Sequence, residues 1–472
     1  MRRHMGRRVQ DFWRVQRWRR WHGTDYPVSN LIMRFSTEVR DNEFPALIAD
    51  LHGITGVEPW TRRFEWLQHE LGANSYMESW LRERCAIEMT LYKVLYAHPD
   101  LAHRAYRLES IQHFELIAFM ASVTRCYQKL NGAGRNRLRG MLVDGLKTDK
   151  GLLAVQQEMA TAVHLMRRGF DVEFFDLENG GGVDFIARRD DIEIEVECKV
   201  FSGDLGRKIH KRKCVNLYKA LEEVVVRTYK AATRGLIIRI TIPGRLTAAL
   251  DQHQGIAQDV GIGILSGDTV TRSPRCEVEV RDFEIGNSPF CVSKPHDLSI
   301  SAIGEFVKGE IGRSNSNLMN LFSPGKRAVV ALVESSEPDD VLGGIRRQLR
   351  DAAIDQFSKL RPGYLVAQLH DLTAEQLLDI AESDSSWRGN ASRLQVMTSD
   401  LLDNSSRSHV HTIVYLYHST IDTSAKSGEA IIADGTAYTF ANANHPNYKD
   451  SRFGVFRDIN RLDSPRIIQM AS

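Results

Sequence analysis

The fold of this chain is decided by two neighbouring stretches, VDFIA at residues 183–187 and IEIEVECKVF at residues 192–201. In the second stretch apolar residues alternate with charged ones, a period of two that is typical of a β-strand with one apolar face. Glu197 and Lys199 are one residue apart, so they share the other face and lie about 7 Å apart along the strand. We therefore predict two adjacent strands that carry a carboxylate beside an ammonium group.

A second carboxylate belongs to the neighbouring strand. Asp184 opens the apolar run of residues 183–187, where an isolated charge is costly unless it has a partner. From there its carboxylate can reach Glu197, and two carboxylates in a wet cleft form an oxygen-rich site that suits Mg²⁺. Lys199 is placed to orient an attacking water or to offset developing negative charge. These residue types predict a site for phosphodiester hydrolysis.

The surrounding elements follow an α/β order. A helix that starts near Leu152 carries Glu158 at the margin of its apolar stripe, a strand is predicted over residues 170–177, and a glycine turn occupies residues 180–182. From that helix Glu158 can reach the metal or its water shell. The alternative for Glu158 is an ordinary surface glutamate, which is the commoner environment for this residue type.

Two alternatives also stay open for the strand of Glu197. Its alternating charges can belong to a half-solvated sheet face without any catalytic role. Glu193 and Glu195 share the face of Glu197, so the metal ligand on this strand can be one of them instead.

The order of these residues resembles a known family. A helix with Glu158, then Asp184, then Glu197 and Lys199 flanking one residue, is similar to the motif of the PD-(D/E)XK nuclease superfamily, which has the restriction-endonuclease-like fold. The resemblance covers residues 150–242, a minority of the chain. It implies an α/β core with a mixed central sheet, and Mg²⁺- or Mn²⁺-dependent cleavage of DNA or, less often, RNA.

The resemblance also implies a role for each matched residue. Asp184 and Glu197 correspond to the metal-binding acids, Glu158 to the helix glutamate of some branches, and Lys199 to the motif lysine. All four are therefore expected to be catalytic, with the three acids as metal ligands. The departure is Val183, which stands where the proline that gives the motif its name would be.

A run of cations follows the predicted active strand and enters a helix. It contains Arg207, Lys208, Lys211, Arg212 and Lys213. Because neutralisation of phosphates by lysine and arginine supplies most non-specific affinity for nucleic acid, this run predicts a nucleic-acid-binding surface. The alternative is a solvated helix face without a ligand.

Composition excludes several classes of protein. The 472 residues are 42% hydrophobic and 26% charged with a net charge of +2, so any nucleic-acid contact must come from local patches. No apolar run approaches the roughly 20 residues of a membrane span, and no signal peptide is recognised. The six cysteines show no C-x-x-C spacing, which argues against a zinc site or a disulfide scaffold. We expect a cytoplasmic protein with no membrane partner.

The chain divides into five predicted segments, with an α/β core preceded by a helical domain and followed by a further α/β region. They are a basic aromatic extension (1–29), a helical accessory domain (30–148), a nuclease-like core (149–286), an α/β region (287–426) and a polar tail (427–472). The fourth segment is either a second α/β unit or a set of outer strands added to the core sheet.

Three classes of function remain open from the sequence. The leading hypothesis is a metal-dependent nuclease acting on DNA in repair, restriction or phage defence, a cellular role inferred by family analogy alone. The others are a catalytically inactive nucleic-acid-binding or regulatory protein on the same fold, and a scaffold or interaction protein. RNA as the substrate, a homodimer and a protein partner bound by the helical domain also stay open.

Overall fold

The computed structural model describes residues 43–74, 76–97, 111–294, 298, 300–312, 317–370, 393–418 and 435–456. The chain is an α/β protein with two mixed sheets and helices packed against them. The predicted extension at residues 1–29 lies outside the described residues. Within the described part of the chain, no helix is both long and apolar enough to cross a bilayer. All six cysteines are free thiols.

The described helices have the following bounds in chain order: α1 (Phe44–Thr55), α2 (Glu58–Ala73), α3 (Met77–Arg84), α4 (Ala86–Tyr92), α5 (Ile111–Lys129), α6 (Gly132–Lys147), α7 (Leu153–Arg167), α8 (Phe175–Asn179), α9 (Lys211–Ala231), α10 (Leu250–Ser266), α11 (Ile300–Ile311), α12 (Val341–Asp355) and α13 (Arg393–Leu402).

The described strands are β1 (Asp171–Glu173), β2 (Phe185–Arg189), β3 (Ile192–Phe201), β4 (Gly235–Ile242), β5 (Val270–Arg272), β6 (Glu277–Phe283), β7 (Asn317–Ser323), β8 (Arg327–Ser335), β9 (Gly363–Leu369), β10 (Val410–His418) and β11 (Gly435–Ala441).

Helices α1 to α6 form the helical region that the sequence predicts. Their amphipathic faces do not close a separate core, because one hydrophobic cluster runs from Phe44 and Trp60 through Leu138 to Val155 of α7 and Val196 of β3. The helical region is therefore built onto the sheet that carries the candidate site.

Sheet A carries that site. Its strand order is β1-β2-β3-β9-β10-β11, with β3, β9 and β10 parallel and the other neighbours antiparallel. Helix α7 packs on one face, and its Val155 belongs to the same hydrophobic cluster as Val196 of β3. Helices α12 and α13 cover the other face, where Ile345 and Leu394 pack in one cluster with Leu365. Both faces of β3 are thus covered, unlike the half-solvated strand that its alternation alone would allow.

The strand predicted over residues 170–177 is shorter in the structure. It ends at Glu173 and the chain then forms the five-residue helix α8. The backbone N–H groups of Phe175 and Asp176 donate to the carbonyls of Asp184 and Val183 (3.0 and 3.1 Å), so the chain turns over the segment that precedes β2. A left-handed glycine (φ 78°) ends the helix, a conformation that glycine adopts without steric penalty.

The second sheet, sheet B, has the order β5-β6-β4-β8-β7. Helices α9 and α10 share one apolar cluster with this sheet, and α11 shares another. The sequence places residues 235–242 in the same core as β3, but this strand pairs with β8 in sheet B. The parallel neighbour of β3 is β9, which follows α12. The strands of residues 287–426 therefore contribute to both sheets.

Residues 202–340 are thus inserted in the crossover from β3 to α12 and β9. The two ends of the insertion meet in a segment that we call the neck, residues 202–210 and 336–340. There the backbone N–H of Asp340 donates to the carbonyl of Gly206 (2.9 Å), and Lys208 Nζ donates to Glu337 Oε2 (2.6 Å). Gly206 has φ 73° and packs directly on the Asp340 backbone, where a Cβ would not fit.

The segment predicted as a polar tail (427–472) includes an ordered part of sheet A. Residues 435–441 form its edge strand, and Phe453 and Phe456 are buried in the core behind it. The Tyr364 hydroxyl donates to the carbonyl of Phe453 (2.6 Å). The segment is rich in turns, but the packing of a few apolar side chains such as Phe453 and Phe456 into the core is enough to hold it in place.

Candidate functional site

Two carboxylates meet at the start of β2. The antiparallel register pairs Phe185 with Val196, so Asp184 falls opposite Glu197 one residue beyond the ladder. The backbone N–H of Asp184 donates to Glu197 Oε2 (3.3 Å), and the N–H of Cys198 donates to Asp184 Oδ2 (2.6 Å). Each acid is therefore held by the backbone of the opposite strand.

Lys199 completes this pair. Its Nζ donates to Glu197 Oε1, with 31% of the lysine side chain exposed and 4% of the glutamate side chain. Burial lowers the pKa of Lys199, but the charges of Glu197 and Asp184 outweigh burial and raise that pKa above its usual value. Lys199 is thus a stable ammonium group with one side open to solvent.

Glu158 approaches the same acids from α7, which packs on β3. Its side chain is partly buried. Burial raises the pKa of Glu158 well above the usual value, and the charges of Asp184 and Glu197 raise it further. The structure thus brings together the four residues that the motif selects.

The carboxylates of Asp184 and Glu197 repel each other in a partly desolvated environment. Burial, and next the charge of Glu197, raise the pKa of Asp184 to about 8. Burial also raises the pKa of Glu197, although the Lys199 ammonium opposes this shift. At neutral pH the cluster therefore holds protons that a nearby cation would displace.

A fourth acid, Asp176 of α8, belongs to the cluster and was not predicted from the sequence. Its charge raises the pKa values of Glu158, Asp184 and Glu197, so it acts on all three. The backbone of Asp176 bonds to Val183, next to Asp184. The signal in the sequence was an acid four residues before the first glycine of the turn at residues 180–182, and that turn lets the chain fold back beside the motif aspartate.

The helical region holds α8 in place. Arg137 of α6 donates from Nη1 to the carbonyl of Leu177 (2.7 Å), and its guanidinium packs on Gly180. The backbone N–H of Asn131 also donates to Glu178 Oε1 (3.3 Å). The position of Asp176 thus depends on a helix outside the motif.

The other acids on β3 have structural partners. Glu195 accepts from the backbone N–H of Ser358 (2.9 Å) and from Arg361 Nη1 (3.0 Å). Glu193 pairs with Arg361 Nε at 2.7 Å and with Arg188 Nε at 2.6 Å. Both are engaged in ion pairs at the opposite end of β3 from Lys199, so they do not compete for the candidate site.

The predicted nucleic-acid-binding cations divide into two groups. Arg207 and Lys208 lie in the neck, because α9 starts only at Lys211, whose backbone N–H donates to Asp204 Oδ1 (2.6 Å). Lys208 pairs with Glu337. Arg212 pairs with Asp149, in the turn after α6, and with Glu70 of α2, and its guanidinium lies 5.2 Å from the ring centroid of Trp80. Lys213 is partly exposed.

The donor atoms match a hard cation in kind. Asp184, Glu197, Glu158 and Asp176 offer carboxylate oxygens, which Mg²⁺ and Mn²⁺ prefer. As placed, however, no three histidine, cysteine, aspartate or glutamate side chains among the described residues are arranged to hold a metal ion. Both oxygens of Glu197 accept hydrogen bonds, one from Lys199 and one from the Asp184 backbone.

No protein-family model, curated protein or solved structure matches this chain. What the fold and the site define is an α/β protein with two mixed sheets and an acid-lysine cluster at the start of β2.

Proposed function

We propose that this protein is a metal-dependent nuclease that hydrolyses phosphodiester bonds in DNA, on a restriction-endonuclease-like core formed by α7 and sheet A. The observation that carries this proposal is the contact of Lys199 with Glu197, which in turn is bonded to the backbone of Asp184. A buried carboxylate pair beside a stable ammonium group suits a reaction in which negative charge develops on phosphate oxygens.

Each residue has a distinct role in this proposal. Asp184, Glu197 and Glu158 would supply the oxygen ligands, and Asp176 adds negative charge from α8. Mg²⁺ or Mn²⁺ bound there would supply an activated water and charge stabilisation. Lys199 orients that water or balances the charge on the phosphate.

The ion pair of Lys199 and Glu197 has a consequence for substrate binding. For Glu197 to serve as a metal ligand, one of its oxygens must give up its present hydrogen-bond donor and bind the metal ion instead. Release of the Lys199 ammonium would free that oxygen and leave a cation on the partly exposed side of the site, where it can meet a phosphate.

A cleavage assay tests the proposal. Purified protein is incubated with supercoiled, linear and single-stranded DNA and with RNA, in Mg²⁺, Mn²⁺ or a chelator. We expect metal-dependent cutting of DNA that Glu197→Gln abolishes. Glu193→Gln is the matched control, because Glu193 lies on the same face of β3 and is bonded to arginines instead. Cutting in the chelator, or equal cutting by Glu197→Gln, would contradict the proposal.

A second candidate is a binding or regulatory protein on the same fold. It is favoured by the absence, among the described residues, of three carboxylates arranged for a metal ion. This candidate predicts salt-sensitive nucleic-acid binding with no cutting in any metal, and no change in that binding when Glu197 is replaced by glutamine. Restriction, repair or phage defence as the setting remains a proposal by analogy.

A further inference from the structure

Among the cations that follow β3, Arg207 has an unusual environment. Its Nε and Nη2 atoms are buried and have no hydrogen-bond partner among the described residues, while the side chain as a whole remains partly exposed. Its neighbours Lys208 and Arg212 are both ion-paired. Shielding a guanidinium from water without a hydrogen-bond acceptor destabilises the folded state. Any arrangement that supplies an anion to the guanidinium lowers its free energy.

The acids of the neck do not supply that anion. They are each bonded to another group: Asp204 to the Lys211 backbone, Glu337 and Asp339 to Lys208, and Asp340 to Arg347 and the Gly343 backbone. The acceptor that would satisfy Arg207 is therefore not provided by the carboxylates of its own segment.

The place of Arg207 in the fold indicates which anion it meets. The neck starts directly after the carboxyl end of β3, three residues after Lys199, and Arg207 follows within the same short segment. Asp184 lies at this same end of the sheet, because β2 runs antiparallel to β3 and starts there. Arg207 therefore belongs to the segment that leaves sheet A at the end where Asp184 and Lys199 lie.

We propose that Arg207 is the phosphate anchor of this site, and that its guanidinium turns outward to bind a backbone phosphate of the nucleic-acid strand that passes Lys199. The planar fork of arginine donors matches two phosphate oxygens, which a lysine cannot do. Lys208 and Arg212 then serve the fold, by closing the neck and by joining the insertion to the helical region. This inference rests on the proposed nuclease function and names the contact that holds the substrate.

The test measures binding apart from cutting. Arg207→Met and Lys208→Met are each made in the Glu197→Gln background, and their affinities for a labelled DNA duplex and a labelled single strand are measured over a range of salt concentrations in Mg²⁺. We expect Arg207→Met to weaken binding about tenfold or more and to lower the slope of log affinity against log salt by about 0.9 on the duplex. Lys208→Met should leave both quantities close to those of the parent.

A stability measurement shows that the variant is folded. Because the methionine removes a charged group with buried unpaired donors, Arg207→Met should keep or raise the melting temperature. Inorganic pyrophosphate should raise the melting temperature of the parent more than that of Arg207→Met. Arg207→Lys keeps the charge but lacks the planar fork of guanidinium donors. Its affinity for the duplex should lie between the affinities of the parent and of Arg207→Met.

Several outcomes would overturn the inference. Equal affinity and equal salt slope for Arg207→Met and the parent would show that no phosphate meets this residue. A marked fall in melting temperature would show that Arg207 has an intramolecular role. If the parent protein binds no DNA, there is no DNA phosphate for Arg207 to hold. The nuclease proposal fails separately, if the protein with native Glu197 binds DNA through Arg207 but does not cut it.

Discussion

Asp184 and Glu197 are fixed by reciprocal bonds to each other's strands. The Glu197 carboxylate accepts from the N–H of Asp184, and the Asp184 carboxylate accepts from the N–H of Cys198, the residue after Glu197. Both carboxylates are thus oriented by backbone before any ligand arrives, which is the kind of preorganisation that a catalytic or binding site needs.

Loss of the Lys199 ammonium should remove most of the proposed nuclease activity without unfolding the protein. In the proposed nuclease, Lys199→Ala removes the charge that would face the phosphate, and we expect the single-turnover rate constant to fall about 100-fold or more. The measurement is single-turnover cleavage of the preferred substrate, with circular dichroism as the check on folding. Lys219→Ala, which removes an exposed α9 lysine paired with Glu222, is the control and should cut normally.

The raised pKa of Asp184 makes a pH-dependent prediction for stability. The carboxyl has a pKa of about 8 in the folded protein and about 3.9 in the unfolded chain, so the folded state binds more protons between these values. Wild-type stability is therefore lost as pH rises from about 4 to about 8. Asp184→Asn cannot ionise, so its melting temperature relative to wild type should increase across this window. Thermal melts in metal-free buffer from pH 5 to pH 9 measure this difference, and a constant difference would contradict it.

Metal affinity should depend on Asp176 as well as on the motif acids. In the proposed metal site a bound cation would displace protons from the cluster, so Mn²⁺ binding should strengthen as pH rises towards about 8 and release protons at pH 7. Asp176→Asn removes one of the charges that favour the cation and should weaken Mn²⁺ binding several-fold in isothermal titration calorimetry. Asp190→Asn, at an exposed turn outside the cluster, should bind as wild type does.

The contact of Arg137 with α8 predicts an effect of the helical region on the site. Arg137→Met removes the hydrogen bond to the Leu177 carbonyl and the packing on Gly180, so α8 and its aspartate lose a support. We expect weaker Mn²⁺ binding and slower cutting, with a melting temperature near that of wild type. Arg139→Met, an exposed substitution on the same helix, should change neither. Equal effects of the two substitutions would mean that α6 does not position the site.

The buried ion pair of Arg63 and Glu88 predicts a large effect on stability. Both side chains are at most 3% exposed and they lie 3.1 Å apart, so removing one leaves an uncompensated charge in the core. Arg63→Met should lower the free energy of unfolding by about 3–5 kcal/mol in urea denaturation. Addition of Glu88→Leu should recover most of that loss. Arg62→Met, which breaks an exposed pair with Glu58, should cost about 1 kcal/mol or less.

Local pattern was a good guide to the elements near the motif. The alternation in residues 192–201 predicted β3 and the shared face of Glu197 and Lys199, and both are present. The apolar stripe around Glu158 predicted α7, and Asp184 and Glu197 were correctly expected to be near each other. These features repeat every two or every 3.6 residues, so a short window of sequence contains them.

Features that depend on partners far along the chain were not predicted. The sequence shows a run of cations after β3, but whether a cation has a partner depends on Asp149 and Glu337, which lie in distant segments. Asp176 was assigned to a strand because its apolar neighbours suit one, and the backbone bonds that turn residues 175–176 into α8 come from the segment before β2.

The sequence by itself determined that residues 183–201 form two strands with a carboxylate pair and a lysine at one end, since side-chain alternation is a property of the local backbone. Only the tertiary structure decided which strand lies beside β3. That neighbour is β9, more than 160 residues away from the motif, and the insertion between them forms its own sheet. Strand pairing depends on which surfaces are buried together, and the alternation of side chains along one strand does not show which strand will pair with it.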